Sequence, residues 1–156
     1  MNYQTALVQL PLVREVGKER VVSPADVHRV CADTADLAQE TFLVICIDSK
    51  NRMLNRHMVS LGILDTALIH PREVFRAAIL DGAAAVLLSH NHPSGDPTPS
   101  AEDVRITKQL VQAGQVVGIK VLDHVVIGRA TVPAGDQPGR PGFISLRESG
   151  VVEFAL

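Results

Sequence analysis

The chain is poor in aromatic residues. Of its 156 residues only 3% are aromatic: no tryptophan, one tyrosine and four phenylalanines. Proteins that hold single-stranded nucleic acid stack bases on aromatic side chains beside a basic groove. A formal net charge of -2 withholds the basic groove as well, so nucleic acid is not an indicated partner. Cysteine is scarce too. Cys31 and Cys46 stand far apart and form no C-x-x-C pair, which excludes a disulfide framework and a thiolate-rich zinc knuckle. Each reads as a small core residue. No apolar run approaches the ~20 residues that span a bilayer. Pro11 and the charges at Arg14, Glu15, Lys18, Glu19 and Arg20 interrupt the segment where a signal peptide needs an unbroken apolar core. The expected location is the cytoplasm.

What is present is the balance of an ordinary globular domain, with 46% hydrophobic and 21% charged residues. The length suits one core that needs no covalent staple. Residues 1–22 read as an extended lead-in and residues 23–156 as a single domain. Ser23, Pro24 and Asp26 have the spacing of a capping box with proline at the first helical position, and the periodicity predicts a helix ending near Glu40. Residues 41–48 are a continuous apolar, β-branched run, which predicts a buried strand. Residues 53–69 read as a return strand, bent near Gly62 and Asp65. His70 and Pro71 open a second helix, ended by Gly82. Residues 83–89 form another short buried strand. Ser100 opens a third helix, expected to end at Ala113 or Gly114. Residues 116–127 carry further strand, residues 131–142 a loop, and residues 143–146 a last strand. Helices alternate with strands, so the fold class is α/β with a mixed sheet.

The chemically informative stretch runs from His90 to Asp103. Side chains two apart share a face of a strand, so His90 and His92 can address one point from the end of the 83–89 strand. A Pro- and Gly-containing loop reverses the chain, and Asp103 falls in the first turn of the next helix. Two imidazoles and a carboxylate make three ligands. A catalytic zinc keeps its fourth position open, whereas a closed structural site wants four ligands, usually with thiolates. Ser100 and Asp103 also fit a capping box, in which the carboxylate only satisfies a backbone donor.

The whole string, H-x-H-P, six residues, then S-x-x-D, resembles the JAMM (MPN-type) metallopeptidase motif. Gln39-Glu40-Thr41-Phe42, His70-Pro71-Arg72-Glu73, residues 89–95 and residues 122–128 are similar to the RadC-like branch of that family. The resemblance covers roughly residues 20–150. It implies a three-layer α/β/α domain around a curved mixed sheet, of the MPN/JAMM, cytidine-deaminase-like architecture. It also implies one Zn2+ per chain at His90, His92 and Asp103, and hydrolysis of a peptide or isopeptide bond in a protein or peptide substrate. Glu40 occupies the place of the family's upstream glutamate, the general base. Ser100 matches the motif serine, a donor to the developing oxyanion or the water, beside its reading as a helix cap. Glu102 is the rival base, expected to face away. RadC-type proteins often carry a helix-hairpin-helix region, so a chain of this length reads as a short, single-domain member.

His70 and His124 read as ordinary structural residues, His70 as a helix start and Asp123-His124 at most as support behind the ligands. His28 and His57 have no partner in the sequence. A nucleobase deaminase would need H-x-E with P-C-x-x-C, and neither is present. A non-catalytic metal-binding scaffold and a DNA-repair accessory protein are the remaining alternatives. Residues 49–66 and 131–142 are the segments expected to shape the substrate cleft.

Overall fold

The computed structural model describes residues 19–62, 69–135 and 138–154. Most of the lead-in, and the expected bend at Asp65, lie outside them. Its described end is already part of the domain: Val21 is buried, its N–H donates to Asn51 O, and Glu19 O accepts from Met53 N.

In chain order the elements are α1 (Pro24–Val30), a 3-10 turn (Ala32–Thr34), β1 (Thr41–Ile47), β2 (Met53–Leu61), α2 (Pro71–Leu80), β3 (Ala85–Asn91), α3 (Ala101–Val117), β4 (Lys120–Ile127) and β5 (Phe143–Ser145). The five strands form one open mixed sheet in the order β2-β1-β3-β4-β5. β3 and β4 are parallel and the other pairs antiparallel. The parallel pair needs a crossover, and α3 supplies it.

β1 shows how the middle of the sheet is buried on both faces. Phe42, Val44 and Cys46 enter one core with residues of α2 and α3. Leu43, Ile45 and Ile47 enter a second core with Val27 and Cys31. Alternating side chains are thus buried on both faces, and the domain has the expected three α/β/α layers. Register shifts in the β1–β2 pair at Phe42/Leu43 and Cys46/Ile47 mark bulges, which bend a sheet locally.

Two helix boundaries differ from expectation. The first helix stops at Val30 rather than near Glu40. The Thr34 hydroxyl donates to Cys31 O and helps fold the following residues into a 3-10 turn, a local bond that competes with helix continuation. Glu40 therefore sits in the loop entering β1. The third helix does not end at Gly114. An added Cβ there would meet Ile119 O at 2.5 Å, so that glycine serves close packing. Gly118, with φ +80°, takes the left-handed C-cap instead. Among the described residues, no helix is long and apolar enough to cross a membrane.

Candidate metal centre

β3 runs two residues further than expected and carries His90 itself. His92 follows as the chain leaves the sheet, held by its N–H to Ile127 O on β4. The loop closes back on itself: Gly95 N donates to His92 O, and Arg140 from the 131–142 loop reaches Gly95 O and Asp96. Ser100 and Asp103 form a full capping box at the start of α3. The capping and metal readings of Asp103 both hold, because its carboxylate has work on two sides. Oδ2 accepts from Ser100 N at 2.7 Å. Oδ1 lies 3.2 Å from His90 Nε2 and Oδ2 3.2 Å from His92 Nε2. The two Nε2 atoms are 3.0 Å apart.

Donor accounting fixes which ring nitrogens carry hydrogen. His92 Nδ1 lies 2.7 Å from Asp96 O. A carbonyl only accepts, so Nδ1 holds the hydrogen and Nε2 of the neutral ring is a bare lone pair. On the other side the Thr107 hydroxyl gives its single hydrogen to Asp103 O at 2.6 Å. Its oxygen, 2.5 Å from His124 Nδ1, must accept there. His124 is fully buried, and burial pushes its pKa well below the ordinary imidazole value. The neutral ring thus presents a bare Nε2 to His90 Nδ1, 2.7 Å away. That nitrogen donates, and His90 Nε2 is left bare as well. In the neutral rings three electron-pair donors therefore converge with no hydrogen among them, an arrangement that suits a cation. The site also attracts positive charge: the Asp103 carboxylate, which would accept from a protonated His92, raises the His92 pKa, assisted by Asp96 O and the Glu40 charge against desolvation. Burial alone would raise Asp103, but the Ser100 N–H and the bonds that the His90 and His92 rings would donate once protonated outweigh it and hold the carboxyl far below its usual range.

His90, His92 and Asp103 are thus a chemically fitting trio for a divalent ion, and their ligand atoms lie within 4.8 Å of one another. Two imidazole nitrogens and one carboxylate match an open zinc site. His92 and Asp103 line a cleft of about 410 Å³ together with Glu40, Ser100 and Glu102, and His90 lies buried behind them.

A family model for the RadC-like JAB domain matches residues 21–140. The chain belongs to the RadC-like JAB-domain family. UPF0758 proteins of Methanosarcina barkeri, Caldanaerobacter subterraneus and Desulforamulus reducens are 40%, 47% and 43% identical to it over 88%, 86% and 78% of its length. Those alignments cover 56%, 53% and 58% of the relatives, so the chain spans little more than half of the curated proteins it matches.

In this RadC-like domain the residues expected from the motif stand together: His90, His92 and Asp103 as donors, Glu40 and Ser100 on the cleft. Glu102 does not face away as expected. It lines the same cleft, with its carboxylate held by Arg105 through two bonds of 2.7 and 3.0 Å. His70 caps α2 through Nδ1, as expected of a helix start. His124 corrects its ordinary reading, since it bonds directly to His90. Its signal was available in the pairing: Leu88 sits opposite His124 and His90 opposite Val126, so His124 and His90 share a face. His57 also has a partner, Asp81, at 2.5 Å, and His28 stacks on Phe143.

Proposed function

We propose that this domain is a zinc-dependent hydrolase of peptide or isopeptide bonds, acting on a protein or peptide substrate. The observation that carries this reading is the convergence of the His90, His92 and Asp103 donors at a cleft that His92 and Asp103 share with the Glu40 carboxylate. When bound, the ion supplies Lewis acidity, lowering the pKa of water toward ~7 and polarising a carbonyl.

The chain's own residues do the rest. His90 and His92 are held in one tautomer each by His124 and Asp96 O, so no reorganisation precedes ion binding. Asp103 is fixed by Ser100 N and brings one negative charge. Glu40, acting on His92 across the cleft, takes the proton of the attacking water and returns it to the leaving amine. Ser100 Oγ accepts from Asp103 N at 3.1 Å and keeps its own hydrogen to donate toward a developing oxyanion. One such donor contributes ~3 kcal/mol to the transition state. Glu102, engaged by Arg105, is the weaker base.

The test is hydrolysis of a peptide library by zinc-loaded protein and by Glu40→Gln, with chelated protein as blank. Cleavage lost in both, with zinc content unchanged in the variant, supports the reading. Equal cleavage by Glu40→Gln and parent removes Glu40 from its role. No cleavage of any peptide by zinc-loaded parent leaves a non-catalytic scaffold as the better account.

A further inference from the structure

A second group of metal-type donors lies at the other end of the same sheet face. β1 pairs with β2 so that Val44 faces His57 and Cys46 faces Asn55. These pairs point at α2, whose C-cap is Asp81. The Cys46 sulfur, a His57 ring nitrogen and an Asp81 carboxylate oxygen lie within 4.8 Å of one another. His57 Nε2 contacts Asp81 Oδ2 at 2.5 Å, the Cys46 sulfur lies within 4.8 Å of an Asp81 carboxylate oxygen, and Asn55 Nδ2 stands 3.5 Å from Oδ1.

We propose that Cys46, His57 and Asp81 form a second metal site, selective for a thiophilic divalent cation such as Zn2+.

Four features support it. Cys46 is fully buried, while His57 and Asp81 are 27% and 15% exposed, so the sulfur is the floor and the other two the rim of an opening to solvent. Asp81 places a carboxylate at the negative pole of α2, where an anion is disfavoured unless a cation answers it. The imidazole nitrogen and the buried sulfur both stand beside that carboxylate, which is where an ion would sit. Charge also balances. Entry of the ion sends the thiol proton to solvent and shifts the imidazole hydrogen to Nδ1. Thiolate and carboxylate then neutralise a dication, leaving no net charge in a mostly buried place. Three donors leave one position open, and the thiolate makes the site softer than the His90 centre. From the register, Phe42 opposite His90 and Cys46 opposite Val86, the two centres are about 13 Å apart along β1 at ~3.3 Å per residue.

The site is independent of the hydrolase reading and can be tested apart from it. Metal-free protein is titrated with Co2+, and the near-ultraviolet sulfur-to-cobalt charge-transfer band is followed. The His90, His92, Asp103 centre holds no sulfur and gives none. The expected result is a saturable band of one thiolate per chain, kept in Asp103→Ala and Cys31→Ala, and lost in Cys46→Ser and in the rim variant His57→Gln. Circular dichroism confirms that each variant is folded, and the rim variant decides the matter if the buried serine unfolds the chain. No band in the folded parent, or a band that survives His57→Gln, overturns the site.

Discussion

Two clusters on one sheet face use nearly the same side chains and differ in how they are built. At the end of β3, His90, His92 and Asp103 come from fourteen consecutive residues, and their spacing alone brings them together. At the other end, Cys46, His57 and Asp81 come from β1, β2 and the end of α2, and only tertiary pairing unites them. The first cluster contains no hydrogen between its donors. The second has an imidazole hydrogen on its carboxylate and a protonated thiol beside it. The first is therefore preorganised for an ion, and the second must give up a proton to take one.

The largest effect that would sharpen this contrast is Asp103→Ala. It removes a ligand, and zinc affinity at the first centre should fall by more than the ~100-fold typical of losing a supporting residue. Asp81→Ala should leave that centre's affinity unchanged in calorimetric titration. An equal loss in both would erase the distinction. The sheet face between the clusters comes next. Leu88 is fully buried there, and Leu88→Ala should cost ~3 kcal/mol in chemical denaturation.

His124→Ala follows. With His90 no longer held in one tautomer, zinc affinity should drop ~10- to 100-fold, and His124→Asn, which can accept at the same place, should recover part of it. No change in affinity would reduce His124 to packing. The thiols give a pH signature. Burial pushes Cys31 up to about 11 and Cys46 higher still. A raised thiol favours the folded state at low pH. That stability is fully present below the unfolded value of ~8.5 and is lost as pH rises through the folded values. Thermal melts should therefore weaken steadily above that pH, with a shallower slope in Cys31→Ala. The smallest effect is Ser100→Ala, which loses the N-cap of α3 and should cost ~1 kcal/mol of stability.

The first cluster was legible because its determinants are local. A strand's twofold alternation, a reversal loop and a capping box all act within a few residues. The layered α/β class was legible for the same reason, in the alternation of strand and helix patterns. What escaped depends on neighbours distant in sequence. His124 acquires its meaning from the parallel pairing of β3 and β4, and His57 from the β1–β2 register and the end of α2. Gly114 looked like a helix end because its role, close approach to Ile119 O, is a packing fact. The first helix ends at Val30, ahead of a 3-10 turn that a Thr34 bond to Cys31 O supports, so Glu40 lies in a loop rather than on a helix.

The most direct measurement is the zinc content of purified, folded protein beside His92→Ala and Asp103→Ala, by elemental analysis. The account predicts one ion fewer per chain in each variant than in the parent. Equal zinc in all three would contradict it.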